Sequence, residues 1–416
     1  MKKLFSALLF ILLIIVIQQE VIPQWTYQNS ATSQYLYEIT FPSPATGFVV
    51  GQAGTALKTT NGGINWFATS SGVTGFLYTV FFIDLNTGWA AGQSGVILKT
   101  TNTGANWFAQ VSGFPANYLY SVCFTDENTG FITGSSGLIL RTTNGGTNWT
   151  QITSPTSNTL SSVFFPAAAT STIGFASGGS GTEGTIIKTS NAGLNWTLLS
   201  NTGTNWLFDI YFTDLLTGWA GGYNGTIIKT TDGGNNWTAQ ASGTTNRIVA
   251  VSFPSVNTGY AVGYSGTIIK TTNGGINWLS QTCPSVNNLW GVYFTDVNTG
   301  WAAGWFGTIV HTTNGGTVTG FSIINTEVPN ENKLYRNYPN PFNPVTKIKF
   351  DIANNCYVML RIFNMLGQET AVLVNRNLQA GRYESIFNGG NYTSGVYIVR
   401  LEAGKQIESG RMVLIK

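Results

Sequence analysis

An octapeptide, TTNGGINW at Thr59–Trp66, constrains this chain more than any other feature, because it returns at a nearly fixed interval. It comes back as TTNTGANW ending at Trp107, TTNGGTNW at Trp149, TSNAGLNW at Trp196, TTDGGNNW at Trp237 and TTNGGINW at Trp278. Successive tryptophans lie 41, 42, 47, 41 and 41 residues apart. A period near forty residues marks a repeat architecture, in which no unit can bury its apolar face alone and each must stack on its neighbours.

The second period shows what one unit holds. Leu77–Phe82 reads as an apolar strand, Asp84–Gly88 as a turn, Trp89–Gly92 as a second strand and Gln93–Gly95 as a tight hairpin. Val96–Thr101 then reads as a third strand, Asn102–Asn106 as a turn and Trp107–Val111 as a fourth strand. Short strands punctuated by Gly and Asn, where positive φ is needed, make a four-stranded antiparallel meander. Meanders repeated at this period predict an all-β fold, a β-propeller with one blade per repeat.

The pattern of first strands occurs seven times, beginning at Leu36, Leu77, Leu119, Leu160, Leu207, Ile248 and Leu289. The seventh copy keeps Trp301 and TTNGG but has Thr317–Gly320 in place of the NW strand. Gln24–Gln28 resembles Asn236–Gln240, and Trp25 precedes Trp66 by one full period. A seven-bladed propeller over 25–320 is therefore predicted, with residues 25–30 as the outer strand of blade 7. That arrangement closes the ring and covers an otherwise open strand edge. Blade 4 carries the longer spacing, which predicts longer loops at Ala167–Thr172 and Gly178–Gly184.

Charge is scarce at 9%, and the net +3 hides an asymmetry. Between Trp25 and Phe321 there are seven basic residues against nine acids, so a nucleic-acid footprint is not expected. Cys123, Cys283 and Cys356 show no CxxC spacing and read as small apolar residues, with no disulfide framework or zinc site. No metal and no cofactor are expected. Met1-Lys2-Lys3 followed by apolar Leu4–Ile17 reads as a secretory signal over 1–24, too short to span a bilayer comfortably. No integral membrane span is expected once it is removed.

The octapeptide resembles the Asp-box, (S/T)-x-D-x-G-x-x-W, found in sialidases, sortilin-type receptors and xyloglucanases. Only Asp232 keeps the acid, and Asn61, Asn102, Asn144, Asn191, Asn273 and Asn314 replace it elsewhere. Either side chain accepts backbone N–H bonds across a turn. The box, with Trp66, Trp107, Trp149, Trp196, Trp237 and Trp278, is therefore expected to build hairpins and to carry no catalysis. The fuller pattern TGWAAGxxGxIxKTTNGGxNW most closely resembles the propellers of photosystem II assembly and stability factors, over roughly Trp25 to Gly320.

Sialidase chemistry needs an arginine cluster, and the repeats hold only Arg141 and Arg247. Asp84, Asp126, Asp214 and Asp296 share one D-x-x-T-G position and read as turn caps. Glu38 and Asp209 stand at the third position of the first strand, where other blades carry Thr79, Ser121, Ser162, Ala250 and Gly291. If that strand lines the axis, both carboxylates face the central channel. Tyr37, Tyr78, Tyr120, Phe208 and Trp290 share its second position, while Trp206, Tyr223, Tyr264, Trp305 and Phe306 sit on or beside turns. Aromatic side chains on one propeller face suit stacking on sugars or docking a protein loop. The ligand-binding candidates are Glu38, Asp209, Tyr37, Tyr78, Tyr120, Trp290 and Trp305, with no catalytic residue named. Lys58, Lys99, Arg141, Lys188, Lys229, Lys270 and His311 recur once per blade, and their stems are expected to cover apolar surface while their heads reach water.

After Thr326 the repeats stop. A linker is expected at 321–333 and a second domain at 334–416, with strands at Thr346–Ile352, Tyr357–Asn364, Glu369–Val374, Gly381–Phe387, Gly395–Ala403 and Gln406–Ile415. Their alternation predicts a small β-sandwich. YPNPFNP, IFNMLGQE at Ile362–Glu369, LQAGRY at Leu378–Tyr383, SGVYIVRL at Ser394–Leu401 and the ending RMVLIK closely resemble the type A C-terminal sorting domain of type IX secretion substrates. The resemblance implies export through that machinery, with residues 334–416 as its partner segment. It also implies release from, or attachment to, the outer-membrane surface of a Gram-negative bacterium. The sequence favours non-enzymatic binding of a protein or polysaccharide, and its alternative is a glycoside hydrolase or lyase using acids such as Glu38 and Asp209.

Overall fold

The computed structural model describes residues 24–166, 172–199, 205–316, 321–325, 328–389 and 392–416. The leader, most of Ala167–Thr172 and Thr317–Gly320 lie outside the described residues. The chain divides into a repeat unit and a C-terminal unit.

The repeat unit is a ring of seven four-stranded antiparallel sheets. Blade 1 runs Leu36–Thr40, Gly47–Gly51, Ala56–Thr59 and Phe67–Thr69 from inside to outside. The innermost strands of the next five blades are Leu77–Phe82, Leu119–Phe124, Thr159–Phe164, Leu207–Phe212 and Ile248–Ser252. Blade 7 is Leu289–Phe294, Gly300–Gly304 and Ile309–Thr312, completed by Thr26–Gln28 from the other end of the repeat unit. The register is Thr26 opposite His311 and Gln28 opposite Ile309, so the ring closes as the displaced Trp25 predicts. In blade 4, Gly178–Gly184 is no long loop. Gly174–Ser180 and Glu183–Thr189 pair to their tips, Ser180 opposite Glu183, because the extra residues lengthen both strands equally.

Blades adhere through one repeated aromatic device. The Phe at or just beyond the end of each inner strand stacks flat on the aromatic residue of the preceding blade's second strand. Phe124 lies 3.5 Å from Trp89, Phe253 3.7 Å from Trp219, and Phe41 3.7 Å from Trp301 across the closure. The box tryptophan then meets that Phe edge-on, as Trp149 meets Phe124 at 5.9 Å and Trp278 meets Phe253 at 5.8 Å. Trp25 does the same for Phe294 at 5.8 Å, which makes it the box tryptophan of blade 7. Glycine opens the space: a Cβ on Gly88 would stand 2.7 Å from the Phe82 ring.

The recurring cations also serve the ring, and their heads are not in free water. Lys58 Nζ donates to Thr103 O at 2.7 Å, Lys99 to Gly145 O at 2.8 Å and Lys229 to Gly274 O at 2.8 Å, each reaching the next blade's box turn. The correction follows from those turns, whose outward carbonyls need donors. His311 is the exception. It stacks on Trp301 at 4.7 Å, and its buried Nε2 has no partner among the described residues.

The C-terminal unit holds two four-stranded sheets around one core that includes Phe342, Ile348, Phe350, Val358, Leu360, Val399 and Met412. One sheet orders Phe321–Asn325, Gly381–Asn388, Val345–Ile352 and Lys333–Leu334. The other orders Glu369–Leu378, Cys356–Asn364, Gly395–Ala403 and Gln406–Leu414. Two expectations are corrected. The span 321–333 is not wholly a linker, since Phe321–Asn325 pairs with Gly381–Asn388, Phe321 opposite Ser385. Leu378–Tyr383 is no hairpin within a sheet, because the strands on either side belong to different sheets.

Candidate functional site

Each inner strand of the propeller carries a register shift near its start, between Leu36 and Glu38 in blade 1 and between Leu289 and Gly291 in blade 7. The shifted residues are Tyr37, Tyr78, Tyr120, Ser161, Phe208, Val249 and Trp290. A bulge re-aims the side chain of its extra residue and frees it from the ladder. Here it happens seven times, at one level of the innermost strands, and the result is a collar.

The rings of the collar touch in sequence. Tyr37 lies 5.2 Å from Tyr78 and 5.5 Å from Trp290, and Tyr78 lies 5.3 Å from Tyr120. Trp290 reaches Trp305 at 6.3 Å, and Trp305 stacks on Tyr35 at 4.8 Å. On the far side Phe208 packs 5.0 Å from Tyr223. Blade 4 contributes Ser161, whose Oγ accepts the Trp206 Nε1–H bond at 3.0 Å. The five aromatic binding candidates Tyr37, Tyr78, Tyr120, Trp290 and Trp305 therefore lie together.

Arg247 was not among the sequence-derived candidates, and it joins this collar. Its guanidinium lies 3.7 Å from the Tyr223 ring and 4.4 Å from that of Tyr264, and it donates to Tyr264 Oη at 2.8 Å. Tyr35, Phe76, Tyr118 and Trp206 hold the same place as Arg247, immediately before the first residue of the inner strand. That column of the repeat was the signal that could have found it.

Consecutive inner strands pack against one another round the full ring, and the next residue of each strand lies in that innermost layer beside the neighbouring blade. There the two carboxylates behave differently. Asp209 is saturated, accepting from Val251 N at 2.9 Å, Ser162 Oγ at 2.8 Å and Ile210 N at 2.9 Å. Thr79 and Ser121 act alike, accepting the N–H groups of Val122 and Val163 in the next blade. Among the described residues Glu38 accepts only from its neighbour Ile39 N, at 3.2 Å. Both residues are half-buried. Burial pushes Glu38 up to about 8, with a further push from the Asp209 charge against the opposing Ile39 N–H. Burial also raises Asp209 to about 6, although its three hydrogen bonds pull the other way.

The boxes lie away from this site and are self-contained. Thr59 Oγ donates to Asn61 Oδ1 at 3.0 Å and accepts from Gly63 N at 2.9 Å, while Asn61 Oδ1 accepts from Asn65 N at 3.0 Å. The same set recurs at Asn102, Asn144, Asn191 and Asn273. Asp232 adds a bond from Asn236 Nδ2 at 2.7 Å, and its hydrogen bonds lower its pKa to about 2. Asp84 likewise caps its own turn, accepting from Asn86 N and Thr87 N. Among the described residues no three metal-ligating side chains come together, and no helix is long and apolar enough to cross a membrane.

Residues 17–112 and 236–337 match the family described as photosynthesis system II assembly factor YCF48, and residues 336–416 match the secretion system C-terminal sorting domain. The chain joins a YCF48-like propeller to a sorting domain. Among solved structures, YCF48 bound to a D1 peptide shares 18% identity at a TM-score of 0.60, over 70% of this chain and 97% of that one. YCF48 from Cyanidioschyzon merolae shares 21% at 0.59, over 69% and 98%. PorZ of Porphyromonas gingivalis, described as an essential bacterial surface component of the type IX secretion system, shares 13% at 0.56, over 94% of this chain and 60% of that one. At such identities the likeness is one of fold. No match was found among curated proteins. The sorting domain makes the YCF48-like propeller cargo of type IX secretion, delivered to the cell surface or beyond.

Proposed function

We propose that this protein is an exported, non-catalytic binding propeller that engages a protein or glycan ligand at the aromatic mouth of its channel. One observation carries the reading: blade adhesion is already supplied by the stacked Phe and box Trp pairs, so the bulge-borne collar is surplus to the fold. Half-buried aromatic groups such as these, near a concave centre, suit binding anchors. The YCF48 structure bound to a D1 peptide is consistent with a peptide ligand on this fold. The boxes are read as hairpin staples. Residues 1–24 are read as the secretory signal and 334–416 as the segment met by the type IX machinery, with the product held on or released from a Gram-negative outer membrane.

The full-length protein on peptide and glycan arrays tests this reading. Tyr37→Ala and Trp290→Ala should each weaken capture at least tenfold, as expected for anchor residues. Unchanged capture by both variants would remove the collar from the function. The alternative, a glycoside hydrolase or lyase, draws on the two raised carboxylates. It is weakened by Asp209, whose hydrogen bonds are all spent within the ring. Turnover of any polysaccharide that is abolished by Glu38→Gln or Asp209→Asn would reinstate it.

A further inference from the structure

The motif IFNMLGQE at Ile362–Glu369 forms a hairpin turn that holds two apolar side chains out in water. The turn joins Cys356–Asn364 to Glu369–Leu378 and is fastened by its own groups. Asn364 Oδ1 accepts from Leu366 N and from Gln368 N, each at 3.0 Å, and Asn364 Nδ2 donates to Gln368 Oε1 at 2.8 Å. Backbone bonds from Asn364 N to Gln368 O and from Gly367 N to Asn364 O, both 3.0 Å, close the loop, with Gly367 at a φ of 77°. The conformation therefore rests on Asn364, Gly367 and Gln368. It asks nothing of Met365 and Leu366, which stand 67% and 84% exposed. Among the described residues they are the only adjacent pair of exposed large apolar residues in the C-terminal unit. The other hairpin of the same sheet makes the contrast. It turns through Gly404 and Lys405, with Ala403 opposite Gln406, and carries the residues that a water-facing turn ordinarily has.

We infer that Met365 and Leu366 form a plug by which the sorting domain docks into an apolar socket of the type IX secretion machinery. Residues 336–416 match a sorting domain, so that machinery is the partner this unit has to meet. The inference rests on the reading of 334–416 as the segment met by the machinery, and it locates the contact on that segment. Adjacent exposed apolar side chains mark a contact surface, and a turn already stiff loses little freedom when it is covered. The flexible thioether of Met365 adapts to the wall it meets. Glu369, the first charge beyond the turn, is paired with Arg361 at 3.2 Å, so the tip offers apolar surface and no free charge. Two side chains make a small contact, which suits cargo that is held only in passage.

The test is the full chain carrying Met365→Ser and Leu366→Ser together, expressed in a Gram-negative host with a type IX system. Fractionation should find export reduced about tenfold, the scale of one lost leucine burial, with the protein retained in the cell. Its thermal melt should match wild type to within about a degree, because the hydrogen bonds of the turn are untouched. Should that variant fail to fold, Leu366→Gln decides, since so exposed a side chain carries no packing. Export of the folded variant at the wild-type level overturns the plug. If a chain ending at Gly316 is still retained in that case, the sorting reading stands without it. Export of the chain ending at Gly316 overturns both. Should the serine variant lose a dimer seen by sedimentation, or binding to phosphatidylglycerol vesicles, while export is unchanged, the turn serves a second copy or a lipid surface and the inference falls.

Discussion

At the scale of the residue, one position on the inner strand does two kinds of work. Thr79, Ser121 and Asp209 use it to fasten the next blade, whereas among the described residues Glu38 bonds only its own neighbour. The difference predicts a pH signature. A carboxyl raised from its ordinary 4.5 to about 8 stays protonated in the fold while the unfolded chain ionises. Its stabilising share is therefore complete below pH 4.5 and is lost as pH rises towards 8. Asp209, raised to about 6, acts the same way over a lower window. Thermal melts of wild type and Glu38→Gln should diverge from pH 5 to pH 8, with the variant melting a few degrees higher at the alkaline end. Coincident curves would contradict the burial argument. His311 runs in the opposite sense. Burial holds it down to about 4 from 6.5, so its neutral form stabilises above pH 6.5 and the benefit fades as pH falls towards 4. Its place belongs to a lysine in five blades, and Gly62 O, which would receive that lysine, already accepts Trp301 Nε1 at 3.1 Å. His311→Lys should complete the staple, add about 1 kcal/mol to stability and remove the acid sensitivity.

At the scale of the element, the blade is a hairpin stack whose two fasteners, the box and the Phe–Trp stack, sit at opposite ends of the same side-chain chain. Thr271 Oγ accepts from buried Gly275 N at 2.8 Å, and Thr271→Val leaves that N–H unsatisfied. The expected loss is about 1–3 kcal/mol, read by urea unfolding. Trp278→Ala also removes the edge contact to Phe253 and should cost about 3–5 kcal/mol. A loss under 1 kcal/mol in both would mean the box is decoration. This much was legible in the sequence, because strand period, turn residues and box tryptophans recur and a fixed period leaves one architecture. What escaped were effects that no period displays. The bulge at Tyr37 and its equivalents depends on ladder register, so aromatic residues at that position could be placed on the inner strand without the collar being visible. Arg247 breaks its column by chemistry, and only the fold brings it over Tyr223. The strand at Phe321–Asn325 lies five residues past the last repeat, and its partner lies some sixty residues on, a distance over which local patterning carries no information.

At the scale of the whole molecule, two operations depend on the ends of the described chain. The first is closure. Thr26–Gln28 adds three residues of ladder to blade 7, and Trp25, 1% exposed, fills the slot between Phe294 and Tyr260 that a box tryptophan fills elsewhere. Because the strand comes from the other end of the ring, the contact ties the first blade to the last and turns a row of blades into a cooperative unit. In an open row, unfolding proceeds from the ends at little cost, whereas a closed ring must break an interface first. Trp25→Ala should thus do more than remove one large side chain. Its melt should broaden and fall further than that of Trp278→Ala, which deletes the same ring in the middle of the sequence, and hydrogen exchange should quicken selectively in Ile309–Thr312. Equal melting of the two variants would show that closure adds nothing to the ring. The second operation is export, and the strand at Phe321–Asn325 fixes where it can be cut. A stop after Asn325 would leave that strand without its partner Gly381–Asn388, so the clean boundary lies at Gly316, after the last described box residue. A chain ending there keeps all seven blades and should fold, yet fractionation should find it retained in the cell while the full chain is recovered on the surface or outside. If the shortened propeller still reached the exterior, the C-terminal sheets would not be what the secretion machinery reads.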